Sequence, residues 1–223
     1  MNIVGIEGNS FSGKSELAVG LEYEHEFIHI KEPSYYVEGF PPQPSDVDSA
    51  KKNLLFFADV ERRRGEDAMK ALESGSEVIM DRTLWTYILY EYVLFAKYPN
   101  RPNAFLFSID TFQRLCDDKN IVVPEILVCL TPGKEEILKQ RILQRRPTSI
   151  DFLNEWATTV VIDSTLEKMI GIYGPANACQ LVNNKGVDEL VSSGYNFICN
   201  ADHSKKPDTE QIFDTLRELI VRE

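Results

Sequence analysis

Residues 8–15 read Gly-Asn-Ser-Phe-Ser-Gly-Lys-Ser and match the pattern G-x-x-x-x-G-K-[ST]. The segment before them, 3–7, has the pattern of a buried strand, and the segment after them, 13–21, has the pattern of a helix. The two glycines permit backbone angles that other residues resist, so the N–H groups of the turn can converge on an anion at the positive end of the helix. The sequence therefore predicts a phosphate-binding loop (P-loop, residues 8–15).

This loop predicts a magnesium–ATP site. All eight residues are expected to contact ATP: Gly8, Asn9, Ser10, Phe11, Ser12, Gly13, Lys14 and Ser15. The Lys14 ammonium would reach the β- and γ-phosphates, and the Ser15 hydroxyl would bind Mg²⁺. The alternative interpretation is a chance glycine turn with a surface lysine.

Short apolar runs alternate with longer helical patterns along the rest of the chain. We predict strands at 3–7, 27–30, 77–80, 125–130 and 195–199, with helices between them and a closing helix at 208–222. Such alternation favours a parallel sheet covered on both faces. The expected fold is an α/β P-loop three-layer sandwich with five parallel strands, formed by residues 1–223 as one domain with a small lid at about 144–151. The stretch 174–194 gives no clear pattern.

Composition and charge exclude several functions. The formal net charge is −11, which argues against binding of duplex nucleic acid. No apolar stretch approaches the length of a membrane helix, and the N-terminus does not resemble a signal peptide. The four cysteines form no disulfide or zinc pattern. These features predict a cytoplasmic protein without a membrane partner.

A P-loop alone fits ATPases, GTPases and kinases. A GTPase would need an NKxD-type segment that reads the base, but the turn at 183–186, Asn-Asn-Lys-Gly, has no aspartate in that position. A translocating ATPase is usually larger than one domain of 223 residues. A kinase for a small acceptor is therefore favoured.

Several segments, in order along the chain, resemble the thymidylate kinase and deoxynucleoside kinase group of P-loop kinases. They are GNSFSGKS (8–15), Glu32-Pro33, LLFFAD (54–59), Asp81-Arg82-Thr83, the unit from Pro124 to Arg146, and ICNAD (198–202). The resemblance implies ATP-dependent phosphoryl transfer in nucleotide biosynthesis, with Mg²⁺ as cofactor. It identifies ICNAD with a final strand and an adenine-covering loop, and it suggests a homodimer.

Two acidic residues are candidates for the chemistry. Asp81 ends a predicted strand at the same sheet edge as the P-loop, where a carboxylate can hold Mg²⁺ through water. Glu32 follows a predicted strand and could accept a proton from an attacking hydroxyl or position the metal. The alternatives are a helix N-cap for Asp81 and a solvated loop acid for Glu32.

Four arginines and one aromatic residue complete the predicted site. Arg82 would lie beside the acceptor, where a planar donor fork suits oxyanions. Arg141, Arg145 and Arg146 end a predicted helix where the lid would begin, and could neutralise charge on the transferred group. The dipole of the helix C-terminus also attracts cations, so a purely structural role stays open. Phe56 matches the base-stacking aromatic of the group, or it is a core residue.

Departures from the thymidylate kinase pattern leave the acceptor open. Val60 stands where an arginine usually reads the thymine edge, and Arg62, Arg63 and Arg64 could replace it or form a solvated face. LLFFAD and Asp81-Arg82-Thr83 slightly favour a nucleoside monophosphate; a deoxynucleoside or another small hydroxyl compound is the alternative. A further alternative is a regulatory P-loop protein that binds ATP but has no small acceptor.

Overall fold

A parallel five-stranded sheet forms the centre of the part of the chain that the computed structural model describes, residues 2–145, 155–184 and 186–220. The strands are β1 (Ile3–Glu7), β2 (Ile28–Ile30), β3 (Val78–Asp81), β4 (Ile126–Thr131) and β5 (Ala178–Val182). Their spatial order is β2-β3-β1-β4-β5. Since β1 lies in the middle and all strands are parallel, the P-loop and the carboxyl ends of β2 and β3 lie together at one end of the sheet.

Helices cover both faces of the sheet. They are α1 (Lys14–His25), α2 (Val47–Glu73), α3 (Leu84–Lys97), α4 (Phe105–Asp117), α5 (Glu135–Arg145), α6 (Trp156–Tyr173), α7 (Val187–Cys199) and α8 (Thr209–Glu218), with a 3₁₀ turn at Pro33–Tyr36. Alternate residues of β1 face opposite sides, as a strand requires. Val4 and Ile6 pack with α1 and α7, whereas Ile3 packs with α2. The predicted three-layer sandwich is confirmed.

The predicted strand at 195–199 is wrong. Tyr195–Cys199 is the end of helix α7, and ICNAD therefore contains no strand, whereas the fifth strand is β5, inside the stretch that gave no clear pattern. Leu190, Val191, Gly194 and Ile198 are buried at helical spacing, and this face packs on α1. The sequence did not reveal β5 for a physical reason. It is the outermost strand of the sheet and only partly buried, so it lacks a continuous apolar run.

The remaining predicted elements agree with the structure to within a few residues. Helix α2 is one continuous helix of 27 residues, and Asp46 and Ser49 form a reciprocal capping box at its start. Most of the predicted lid, residues 146–151, lies outside the described residues. No helix in the described part of the chain is both long enough and apolar enough to cross a membrane.

Candidate active site

The P-loop connects β1 to α1 and is shaped by contacts with neighbouring strands. Gly8 and Gly13 have φ angles of 137° and 101°, which a side chain would strain. A Cβ on Gly8 would lie 2.2 Å from the carbonyl oxygen of Leu130 in β4. The side-chain amide of Asn183, just after β5, donates a 2.8 Å hydrogen bond to the carbonyl of Ser12. The ends of β4 and β5 therefore pack against the loop and restrict its conformation.

Lys14 lies at the first turn of α1 with its side chain buried against the loop. Its Nζ donates a 2.7 Å hydrogen bond to the carbonyl of Asn9. Burial, and secondly the positive charge of Arg82, lower the pKa of Lys14 to about 7. Asp81, Glu7 and Glu32 act in the opposite direction, and a phosphate group placed in the loop would add to their negative charge and favour the ammonium form.

Ser15 and Asp81 form a pair of hard oxygen donors. The Ser15 hydroxyl donates a 2.7 Å hydrogen bond to Asp81 Oδ2, although the two residues are 66 positions apart. Asp81 Oδ1 is buried and has no hydrogen-bond partner among the described residues. Mg²⁺ is often bound by one or two protein oxygens together with substrate phosphates, so this pair fits the cation.

The alternative role of Asp81 as a helix cap does not occur. Helix α3 is capped by Thr83, whose hydroxyl accepts a hydrogen bond from the backbone N–H of Trp85. Asp81 is paired with Ile6 of β1, so its side chain points to the same face of the sheet as that of Ile6. On this face it meets the Ser15 hydroxyl of the P-loop. The carboxylate is therefore directed at the P-loop.

Arg82 and Glu32 are brought together from the ends of β3 and β2. Arg82 Nε lies 3.5 Å from Glu32 Oε2, and its Nη1 donates a 2.6 Å hydrogen bond to the Tyr90 hydroxyl. Burial alone would lower the pKa of Arg82, but Tyr90, Asp81 and Glu32 outweigh it and the pKa is raised. Arg82 has a left-handed φ of 67°, rare for a residue with a side chain. Glu32 is thus paired with Arg82, which the solvated-loop alternative did not foresee.

Glu7 is a buried acid that the sequence argument missed. Its carboxylate accepts hydrogen bonds from the backbone N–H and hydroxyl of Thr83 and from the hydroxyl of Thr86. Burial raises its pKa in spite of these three donors. The signal was present, since a charged residue at the end of an otherwise apolar strand needs polar partners inside the protein.

Of the three arginines predicted near the lid, Arg141 reaches the P-loop. Its guanidinium donates to the carbonyls of Phe11, at 2.9 Å, and Asn183, at 2.7 Å. Partial burial lowers its pKa. The backbone of Arg145 ends α5, and Arg146 lies outside the described residues.

A cavity of about 830 Å³ opens beside the P-loop. Its walls come from the proline-rich loop 40–44, from α2, from α3, and from the ends of β2 and β3. Ser10 of the P-loop, Glu32 and Arg82 all line it, so the cavity reaches the P-loop. A space of this size suits a small-molecule ligand.

The aromatic wall of this cavity differs from the prediction. Phe57 lines the cavity, and its neighbour Phe56 is not among the lining residues. The Phe57 ring stacks on Tyr87 with 5.2 Å between centroids and also contacts Phe40 at 5.8 Å. The helical turn places residues 56 and 57 about 100° apart, and the sequence alone did not decide which one faces the cavity.

The arginine run 62–64 is neither a substitute base contact nor a uniformly solvated face. Arg62 and Arg63 are partly exposed and pair with Asp59. Arg64 is fully buried, as is Val60. None of these three arginines lines the cavity.

Solved structures of nucleoside and nucleotide kinases have the same architecture. Deoxyadenosine kinase from M. mycoides, in a structure with dCMP and dCDP, matches with a TM-score of 0.62 at 13% identity, over 88% of this chain and 98% of that one. Thymidylate kinase from Candida albicans gives 0.63 at 16% identity, over 88% and 90% of the two chains. The chain has the fold of the deoxynucleoside and thymidylate kinases.

Thymidylate kinase from Ehrlichia chaffeensis also has this kinase fold, with a TM-score of 0.56 at 15% identity, over 88% of this chain and 98% of that one. No protein-family model matches the sequence, and no curated protein is significantly similar to it. The resemblance drawn from the short motifs is confirmed at the level of the fold.

Proposed function

We propose that the protein is a kinase that transfers the γ-phosphoryl group of ATP to a nucleoside or nucleotide. The observation that carries this proposal is that the cavity is continuous with the P-loop. The cavity of about 830 Å³ is lined by Ser10 of the P-loop and by Glu32 and Arg82. An acceptor in the cavity would therefore meet the terminal phosphate of ATP beside an acid and an arginine, a pair suited to phosphoryl transfer.

Each residue then has a definite part in the reaction. The P-loop amides and Lys14 hold the β- and γ-phosphates, and Ser15 and Asp81 would hold Mg²⁺, which supplies further neutralisation of the phosphate charge. The acceptor oxygen forms a bond to the γ-phosphorus while the bond to the β–γ bridging oxygen breaks, and ADP leaves with the electron pair. Glu32 takes the hydroxyl proton. Arg82 stabilises charge on the transferred group.

The P-loop end of the cavity favours a neutral acceptor over a monophosphate. Arg82, the arginine at the P-loop end, already has Glu32 as its counter-ion at 3.5 Å. A dianionic phosphate placed there would lie between the Glu32 carboxylate and the γ-phosphate of ATP, and like charges in a partly buried site repel strongly. A nucleoside hydroxyl has no such penalty and can donate to Glu32. The geometry thus supports the nucleoside, the alternative in the sequence argument.

The second candidate is a nucleoside monophosphate. LLFFAD and Asp81-Arg82-Thr83 resemble the thymidylate kinase motifs, and the arginines at 145 and 146 could supply additional positive charge. The two candidates differ in one phosphate group. Each nucleoside can therefore be compared with its own 5′-monophosphate.

The test is an ADP-release assay with Mg²⁺–ATP across nucleosides and their 5′-monophosphates, with Lys14→Ala as control. We expect ADP release that depends on a nucleoside, and a loss of about 10³-fold or more in Lys14→Ala, because Lys14 stabilises transition-state charge. If only monophosphates accept, the charge argument is wrong. If tight ATP binding occurs but no acceptor yields ADP, the kinase proposal fails and the regulatory ATP-binding alternative replaces it.

A further inference from the structure

Arg64 is a buried arginine that donates hydrogen bonds to three backbone carbonyls. It lies on α2 and is fully inaccessible to solvent. Its Nε donates to the carbonyl of Lys31 at 3.0 Å, and its Nη2 donates to the carbonyls of Asp81 and Arg82, both at 2.8 Å. One guanidinium thus joins the carboxyl ends of β2 and β3.

These carbonyls belong to the segments that present the proposed catalytic groups. Lys31 precedes Glu32, and Asp81 and Arg82 themselves carry the metal-binding and acceptor-facing side chains. Arg82 also has a φ of 67°, an unfavourable backbone conformation that persists only when its surroundings enforce it. Arg64 fixes the carbonyl of this residue, and Glu7 fixes the next N–H, that of Thr83.

Glu61 supplies the counter-charge that allows Arg64 to be buried. Glu61 Oε2 accepts from Arg64 Nη1 at 2.5 Å, and both side chains are fully buried. A buried charge without a partner is strongly destabilising, whereas a paired one is tolerated. The spacing gave a signal: Glu61 falls on the buried stripe of α2 with Leu54, Ala58, Gly65 and Ala68.

We infer that Arg64, with Glu61 as its partner, is a positioning residue for phosphoryl transfer. It sets the placement of Glu32, Asp81 and Arg82 relative to the P-loop without lining the cavity itself. Misplacing catalytic groups by about 1 Å can cost 10²-fold in rate. The inference rests on the proposed kinase function.

The decisive variant is the double substitution Glu61→Leu with Arg64→Met. It removes both charges at once, so no unpaired charge stays buried, and hydrophobic replacement of such a pair often leaves stability intact. We expect a folded protein whose kcat falls about 100-fold, with its ATP dissociation constant within about threefold of the parent. Arg62→Met is the matched control: Arg62 is partly exposed on the same helix and pairs with Asp59 and Glu66, and kcat should not change.

Arg64→Lys covers the case in which the double variant does not fold. It keeps a positive charge beside Glu61, but a single ammonium replaces the planar fork that spans three carbonyls. We expect a loss of kcat between about 10- and 100-fold that added acceptor does not restore. A folded variant of either kind with the parental kcat overturns the inference.

A crystal structure of the double variant separates this inference from the proposed function. We expect Arg82 to leave the left-handed region or its Nε to move away from Glu32. If the parent protein transfers phosphate to no acceptor, the proposed function fails while this structural test still applies. An unchanged Arg82 backbone and an unchanged Arg82–Glu32 distance overturn the positioning role.

Discussion

At the scale of single residues, the site contains two buried ionisable side chains, Lys14 and Asp81, whose hydrogen bonding is incomplete. Lys14 is held by a backbone carbonyl, and Asp81 has one oxygen paired with Ser15 and the other unpaired among the described residues. Such groups are costly in a low-dielectric interior, and phosphate and a divalent cation would satisfy both.

Binding of Mg²⁺–ATP at pH 8 should take up protons at Lys14. Without ligand, Lys14 has a pKa of about 7, so its side chain is mostly neutral at pH 8. Bound phosphates would favour the ammonium form and thereby raise this pKa. Affinity should therefore fall as the pH rises above 7. Calorimetry in two buffers of different ionisation enthalpy measures the uptake, which should disappear in Lys14→Arg, since arginine stays charged. Equal proton uptake in parent and variant contradicts the assignment.

Asp81→Asn should raise the Mg²⁺ concentration needed for half-maximal activity by about 10- to 100-fold, as expected for loss of a carboxylate that orients the metal shell. The amide keeps the shape but removes the charge that faces Ser15. Magnesium titration of ADP release measures the effect. Glu32→Gln is the comparison: its kcat should fall while its magnesium requirement stays at the parental value. The reverse pattern would exchange the roles of the two acids.

At the scale of elements, helix α2 contacts both the cavity and the carboxyl ends of β2 and β3. One face presents Phe57 to the cavity, and the buried stripe one to two turns further along carries Glu61 and Arg64. The proline-rich loop is tied to this helix, since the amide of Asn53 donates a 2.8 Å hydrogen bond to the carbonyl of Pro42. The position of α2 therefore determines the shape of the cavity.

Phe57→Ala should raise the acceptor KM roughly 10- to 100-fold, because stacking of an aromatic ring on a base contributes about 1–3 kcal/mol. The KM for ATP should stay within about twofold, since Phe57 lies on the cavity wall and not at the P-loop. Phe56→Ala is the matched control, which removes the same ring one residue away and should leave the acceptor KM nearly unchanged. A larger effect of Phe56→Ala would restore the sequence-based assignment.

At the scale of the whole molecule, three basic side chains lie around one loop of an acidic chain. The formal net charge is −11, yet Lys14, Arg82 and Arg141 all lie at the P-loop or at the sheet edge beside it. Local positive charge, not the overall balance, decides whether an anion binds in a partly buried site. Binding of ATP should therefore be visible in the stability of the whole fold.

Saturating Mg²⁺–ATP should raise the melting temperature of the protein. A ligand at 100 times its Kd contributes about 2.7 kcal/mol, and for a chain of this size each kcal/mol shifts Tm by about 2–4 °C. We expect a rise of roughly 5–10 °C by scanning calorimetry, and a much smaller rise for Lys14→Ala. No shift in the parent at millimolar ATP would contradict ATP binding at the P-loop.

The sequence by itself determined the P-loop, the layered fold and the strand-end residues Glu32, Asp81 and Arg82, because each depends on local patterns: a glycine turn, an apolar run, a charge just after a strand. Only the tertiary structure decided the identity of β5, the choice of Phe57 over Phe56, and the partners of Glu7 and Arg64. These depend on packing between residues far apart in sequence, such as Arg64 with Lys31 and Asp81. Local propensity does not encode which distant carbonyl a buried donor will meet.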